Sequence, residues 1–363
     1  QAIPQVYTIA PDNCNQCGKC VGVCPTGAID LSRPYESRKL TVGAIIVSSG
    51  AEEFDPAPMG QYGFGRYANV LTSLQLERML DPSGPWGGRP VRPSDGQPPQ
   101  KVAFLLCIGS RDMERNYCSV TCCLSALKEA VLLQRQNAGA KAHLFYLDWR
   151  DFGKGHYRYY QQAKDSGVNF TPCRVPVVRE NPKTQNLLVL AQGEDGSSLT
   201  SEFDLVVLSV GRCPSYHTAE LSRILGVGLN KWGFIASSQD FGQVKTDREG
   251  IYVCGSALAP ADISQAAVQG SAAACQASIL LSPVRSQLAG QRGKPQRREE
   301  KDEEARIAIF VCRCGAEIAS VVAVEPVVAS ARMLPGVVYV GEVAYLCLPD
   351  TLEQVKQTIA ESG

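Results

Sequence analysis

From residue 101 onward, apolar runs alternate with helical spacing. KVAFLLC reads as a buried strand, residues 119–136 as a helix, AKAHLFYLD as a second strand and 156–165 as a second helix. Three β runs follow, VNFTPCRVPVV, NLLVLAQ and FDLVVLSVG, with polar turn residues between. This βαβα order, ending in a β-hairpin, predicts an α/β domain with a parallel sheet. Upstream, GAIDL predicts a short strand and VGAIIVSSG, residues 42–50, a buried strand that stops at glycine. Residues 82–100, rich in Pro, Gly and Ser, predict a loop or crossover. Downstream, within 246–274, a buried strand stops at Gly255, a loop follows, and an Ala-rich helix opens near Ile263. Residues 292–306 are almost wholly charged and predict a solvated linker. Beyond them IAIFVCRC, 322–333, VVYVGEVAYLC and 352–360 predict a β-α-β-α unit.

The 363 residues leave room for two or three domains with their own cores. Lys plus Arg equals Asp plus Glu, 36 against 36, so the chain lacks the electrostatic footprint of a nucleic-acid or anionic-membrane binder. No run approaches the length of a membrane helix and no signal peptide is evident, so a cytoplasmic protein is expected. His143, His156 and His217 stand singly and predict packing or solvated side chains.

Fifteen cysteines are the main chemical signal. Cys14, Cys17, Cys20 and Cys24, followed by Pro25, form C-x2-C-x2-C-x3-C-P, the spacing that holds a [4Fe-4S] cluster in bacterial ferredoxins. A zinc knuckle needs ligand pairs set further apart. The proline-linked fourth cysteine of that pattern usually serves a second cluster, whose motif is expected upstream of residue 1. Cys107, Cys118, Cys122 and Cys123 form C-x10-C-x3-C-C. Cys107 is expected at the carboxyl end of the first strand and the others at the start of the next helix, with 118 and 122 on one helical face. Four thiols there predict a second [4Fe-4S] site, against the alternative of buried small hydrophobes. Cys312, Cys314 and Cys347 are expected to end two parallel strands, as an incomplete metal site or as simple packing. Cys173, Cys213, Cys254 and Cys275 stand alone and are expected to be packing residues.

The start of the Ala-rich helix offers free N–H groups and a partial positive charge, suited to a flavin carbonyl or a phosphate. A packed strand and helix with no ligand is the alternative there. The βαβα domain resembles the nicotinamide-binding domain of thioredoxin-reductase-like flavoproteins, yet CIGSRD replaces the G-x-G-x-x-G loop.

The stretches CNQCGKCVGVCPTGAID, YGFGRY, RPSDGQPPQKVAFLLCIGSRD, NYCSVTCCLSALKEA, FYLDWRDFGKGHYRYY and ISQAAVQGSAAA together resemble the HdrA-like iron-sulfur flavoproteins, the A-type subunits of heterodisulfide reductase. ARIAIFVCRCGAEIASVVAV resembles the amino-terminal domain of that family. The resemblance implies a two-dinucleotide-domain flavoprotein with a ferredoxin-like insertion and a partial carboxyl-terminal α/β domain. Residues 1–41 would be the ferredoxin-like segment, 42–100 an FAD-domain part with crossover and 101–212 the cysteine-bearing α/β domain. Residues 213–290 would return to the FAD domain, 291–306 would link, and 307–363 would be the partial domain. The family's own FAD glycine motif would lie upstream of residue 1, so the chain is expected to be a fragment.

The same resemblance implies an oxidoreductase component with FAD and [4Fe-4S] clusters. It would pass or bifurcate electrons from a hydrogenase or formate dehydrogenase partner to ferredoxin and a disulfide-reducing subunit, within an oligomeric complex. Gly50, Gly211, Gly255 and Ser256 are expected beside the flavin, with Asp262, Ile263 and Gln265 at the helix start. Ser256 stands where aspartate is usual, and Asp262 is the expected replacement for the ribityl hydrogen bond. Lys128, with Lys154 as alternative, is the expected positive charge near flavin N1 or N5. Other readings are an NAD(P)H-dependent iron-sulfur flavoprotein and a non-catalytic fragment that only wires a complex.

Overall fold

The computed structural model describes residues 9, 14–24, 27–32, 39–150, 153–192, 198–238, 244–289, 306–315 and 317–362. The chain divides into two compact units, one of 1–41 with 299–363 and one of 42–298.

In the smaller unit the amino-terminal residues form a short helix, α1 (Lys19–Val23). The strand expected over GAIDL does not form. Asp30 Oδ1 accepts from the Ser32 backbone N–H at 2.9 Å and from its hydroxyl at 2.6 Å, a local turn that competes with strand pairing. Pro25 lies outside the described residues.

The larger unit opens with β1 (Ile45–Val47), β2 (Ala51–Glu53), β3 (Val70–Thr72) and α2 (Ser73–Leu80). Thr72 and Gln75 close a reciprocal capping box at the start of α2, at 3.4 and 3.0 Å, a motif worth about 1 kcal/mol. β4 (Lys101–Ile108), α3 (Cys122–Gln136), β5 (Lys141–Tyr146), α4 (His156–Asp165) and β6 (Asn169–Pro172) follow. β7 (Arg174–Glu180), β8 (Leu187–Gln192), β9 (Ser198–Phe203) and β10 (Leu205–Val210) complete the domain. β3, β10, β4, β5 and β6 make a five-stranded parallel sheet in that order, while β7, β8 and β9 make an antiparallel sheet.

β4 is buried from Val102 onward, as a central parallel strand requires. Its alternate residues Val102, Phe104 and Leu106 join Leu76, Leu127 and Ala130 of the helices in one core. Ala103 and Leu105 join Val178, Leu187 and Val189 of the antiparallel sheet in another. The period of two thus divides one strand between two cores. Each fully buried Leu or Phe there contributes about 1.5–3 kcal/mol of burial energy.

β11 (Arg212–Pro214) pairs antiparallel with β2, α5 (Thr218–Leu225) follows, and β12 (Ile251–Val253) pairs parallel with β1. α6 (Ile263–Ala289) opens where the sequence placed it. β1 departs from expectation, because Ile45 and Ile46 are exposed and Val47 alone of the strand is buried. The smaller unit resumes with β13 (Ile307–Cys312), α7 (Val324–Ala331), β14 (Val337–Val343) and α8 (Pro349–Ser362), the β-α-β-α order expected, with β13 and β14 parallel.

Two further boundaries differ. The run VNFTPCRVPVV is split at Cys173: β6 pairs with β5 and β7 turns to β8, with Pro172, which has no N–H for a ladder, at the switch. SLTSEF forms β9 despite weak apolar alternation, because it pairs with β8 in full register from Leu187↔Phe203 to Gln192↔Ser198.

Candidate functional site

The carboxyl end of β4 gathers the second cysteine group. Cys107 adopts φ +62, the left-handed region costly for a residue with a Cβ, and Val120 does the same at φ +62. The Val120 turn delays the helix, so α3 begins at Cys122 and not at 119. Cys118 is therefore on the preceding loop and does not share a helical face with Cys122. Cys122 and Cys123 are the first two helical residues, both buried, as is Cys107.

Cys107 is hydrogen-bonded to Cys122 and Cys122 to Cys123, and Cys118 lies near enough for its charge to act on Cys122. The backbone N–H of Val120 donates to Cys118 Sγ at 3.3 Å. The Cys122 bond and burial push the Cys107 thiol far up, against the Arg111 guanidinium beside it. The Cys107 bond draws Cys122 down, but the Cys123 bond, burial and the charges of Cys123 and Cys118 prevail and push it up to about 12. Such mutual repulsion means these sulfurs can all ionise only around a cation. Their chemistry fits an iron cluster, which supplies that charge. Among the described residues no three His, Cys, Asp or Glu side chains stand arranged to hold a metal ion.

Arg111, Arg115 and Tyr117 surround this end of the strand, and the sequence reading missed all three. Arg111 also pairs with Asp148. Arg115 donates to Gly109 O at 3.0 Å and lies over the Phe54 ring. Tyr117 donates to Arg212 O at 2.8 Å. The signal available was two arginines within the cysteine loop, a place where a thiolate cluster would draw positive charge. A cavity of about 220 Å³ opens here, bounded by Cys107, Asp112, Tyr62, Cys173 and Arg174.

Gly211 sits against this loop. A Cβ on it would meet Ser110 Cβ at 2.9 Å, Gly109 O at 3.0 Å and Ser119 Oγ at 3.0 Å. Ser119 in turn accepts from the Arg212 N–H at 2.9 Å. Lys128 lies on α3 and pairs with Glu77 of α2, each 47% exposed. Lys154 lies in the turn before α4.

The expected flavin positions fall in two sets. Gly50 has φ +76 with no atom within 4 Å of a Cβ position, and Gly255 has φ +63 with Ala266 Cβ at 3.8 Å. Open backbone of this kind fits a close-lying cofactor. Ser256 lies in a single 3-10 turn over Gly255–Ala257. Asp262 and Gln265, in contrast, are occupied with each other: Asp262 Oδ1 accepts from the Gln265 N–H at 2.7 Å, and Gln265 Oε1 from the Asp262 N–H at 3.2 Å. Asp262 thus already caps the helix start. Ile263 is 91% exposed.

In the smaller unit Cys14, Cys20 and Cys24 are partly exposed and Cys17 exposed. Backbone N–H groups of Gln16 and Ala28 donate to Cys14 Sγ and Cys24 Sγ, each at 3.4 Å. Gln16 at φ +54 and Gly18 at φ +69 wind this loop tightly. Such N–H···S bonds around a tight loop fit cluster-bound sulfur.

Cys312 Sγ and Cys314 Sγ stand 3.6 Å apart, and the charge of Cys347 acts on Cys314. β14 ends at Val343, so Cys347 lies in the loop beyond it and does not end a strand as expected. The Leu346 N–H bond, at 3.3 Å, and then that of Cys314 draw the Cys312 thiol down. The bond with Cys312, then burial, push Cys314 up. Of the lone cysteines, Cys173 and Cys254 are buried and Cys213 partly so, but Cys275 is exposed on α6 and does not pack.

Residues 7–30 match the 4Fe-4S binding domain family. The chain is 41% identical over 284 residues to the iron-sulfur A-subunit of CoB–CoM heterodisulfide reductase from Methanocaldococcus jannaschii, covering 77% of this chain and 43% of that protein. It is 38% identical over 287 residues to the A-subunit of the H2/formate:CoB-CoM heterodisulfide,ferredoxin reductase from Methanococcus maripaludis, covering 78% and 44%. It therefore spans less than half the length of the curated relatives it matches. Thioredoxin reductases of T. acidophilum and Lactococcus lactis align with TM-scores of 0.43, at 14% and 17% identity. They cover 67% and 66% of this chain and 66% of each reductase, a likeness too loose to carry a functional conclusion. Among the described residues no helix is long and apolar enough to cross a membrane.

Proposed function

This chain is a homologue of the heterodisulfide reductase A-subunit over about three-quarters of its length, and from that premise we propose that it is the electron-distributing part of such an oxidoreductase. The gathering of Cys107, Cys118, Cys122 and Cys123 at the carboxyl end of β4 carries this reading. In an open α/β sheet that end is the ligand crevice, and here sulfur stands where a glycine loop would hold a pyridine nucleotide. Those four residues would hold one [4Fe-4S] cluster and Cys14, Cys17, Cys20 and Cys24 another.

Bound FAD would supply two-electron uptake with one-electron release, and the clusters one-electron storage. Burial of Cys107, Cys122 and Cys123 keeps water from the sulfurs. Arg111 offsets thiolate charge at Cys107. Lys128 presents a positive charge held in place by Glu77. Gly50 and Gly255 keep side chains out of the space a flavin would fill, whereas Gly211 is packed against Ser110, Gly109 and Ser119 and borders no such space. Cys312, Cys314 and Cys347 form a third thiol set, suited to ligation with one further donor.

The donor is proposed to be a hydrogenase or formate dehydrogenase partner. The acceptors are proposed to be ferredoxin and a disulfide-reducing subunit, in keeping with the ferredoxin and formate in a relative's name. The capping of α6 by Asp262 favours a second reading, a piece that wires clusters without flavin. Anaerobic purification with iron, sulfide and flavin analysis and EPR tests both. Two or more clusters with bound flavin support electron splitting; clusters without flavin support wiring; an iron-free chain excludes both.

A further inference from the structure

Glu129 lies on α3 with its side chain fully buried, yet neither carboxylate oxygen has a hydrogen-bond partner. An ionised carboxylate so placed loses its hydration and gains nothing in return. Among its surroundings two acidic groups act in the same direction, and Ser73 and Lys128 act against them. Glu77 on α2 and Glu53 on β2 bear on it with like charge. Lys128, the next residue on its own helix, is paired with Glu77. Ser73 of α2 is nearby, but its hydroxyl is engaged with Ser209 of β10 at 3.3 Å. β4, β5 and β10 present Phe104, Leu144 and Val207 to this core. Burial first, then the like charge of Glu77, lifts the Glu129 carboxyl to about 8.

We propose that Glu129 is a proton-storage site coupled to electron arrival at the cysteine-bearing start of α3, with half-exposed Glu77 as its relay to solvent. This rests on reading those cysteines as cluster ligands. Cys122 and Glu129 are seven residues apart on the helix, about 10 Å. A charge at that distance still acts through an interior that salt and water do not screen. For one electron received from a reduced flavin, Glu129 takes one proton from water by way of Glu77, its carboxylate becoming the acid. When the electron leaves for the next acceptor, the proton returns by the same route. Below about pH 8 the acid is already mostly formed, so proton coupling emerges above it, up to the higher value the carboxyl takes once the electron has arrived. Glu129 stands six residues beyond Cys123 on α3 and is no ligand in the reading above, so its role is a positioning one, exerted through charge.

The test uses the whole chain reconstituted anaerobically with iron and sulfide. Infrared spectra across a pH titration are expected to contain the C=O stretch of a neutral, buried carboxylic acid that fades as pH passes about 8. The band is expected to be missing in Glu129→Gln and, with the like charge removed, to fade at lower pH in Glu77→Gln. EPR-monitored potentiometry is expected to give a cluster potential that falls with rising pH in the wild type, by at most one proton per electron, from about pH 8 up to the higher value Glu129 takes when the cluster is reduced, and stays flat in Glu129→Gln. No such band in the wild type, or the same pH dependence in both proteins, overturns the proposal. If no cluster assembles on those cysteines, the reading beneath it fails and the coupling falls with it; the infrared band tells the two failures apart.

Discussion

Lys128 of α3 and Glu77 of α2 form an ion pair across the interface of the two helices, five residues beyond Cys123. Both ends are half in solvent, so the pair contributes little to stability, about 0.2–1 kcal/mol. Its value lies in fixing where a positive charge sits. Lys128→Met is expected to lower the melting temperature by a few degrees at most and to leave iron content unchanged. If flavin is bound, its potential should fall, because a cation near N1 or N5 favours the reduced form. Dye-equilibration titration checks this, and an unmoved potential removes Lys128 from the flavin's surroundings.

Cys118→Ala and Cys122→Ala should each remove one cluster, about four iron and four sulfide per chain. Cys173→Ala, at the switch between sheets, should leave both counts intact. Chemical analysis of anaerobically purified protein decides it, and unchanged iron in Cys118→Ala and Cys122→Ala would mean the thiols merely pack.

Gly211→Ala should destabilise the larger unit by about 1–3 kcal/mol, the scale of an overpacked contact. The new methyl meets Ser110 Cβ and two oxygens at 2.9–3.0 Å. It also presses on Ser119, which holds the Arg212 N–H. Urea unfolding measures the loss, and wild-type stability would show that the loop yields freely.

Glu129 ties stability to pH. Unfolded, its carboxyl ionises near 4.5; folded, near about 8. Between those values the folded chain holds a proton that the unfolded chain has released, so stability falls as pH rises, by about 1.4 kcal/mol per unit. The fall levels off above the folded value. Glu129→Gln has no such proton, so its urea midpoint should be flatter across the window and should exceed that of the wild type most above about pH 8. Parallel pH profiles would place the ionisation elsewhere.

Much of the architecture could be read from the sequence because the strands of the larger unit are apolar on both faces. KVAFLLC and FDLVVLSVG have no other stable place than the middle of a parallel sheet. Less legible was structure imposed by partners or local turns. SLTSEF becomes a strand through its register with β8, and GAIDL fails to become one because Asp30 captures Ser32. The cysteine sets were legible as groups, since spacing alone brings them to one strand end or one loop. Their detailed placement was not, because the left-handed turn at Val120 moves Cys118 off the helix. Glu129 gave no signal at all: in sequence it resembles any acidic residue on an amphipathic helix, and only the packing of α2 against α3 isolates it.

The left-handed backbone at Cys107 has a last implication. Glycine would occupy that φ without strain, a relief of about 1 kcal/mol, but it would also empty the buried space the thiol fills in the core. A Cys107→Gly protein should consequently be the poorer metalloprotein while its apoprotein melting point moves little, the relieved strain and the lost burial opposing each other.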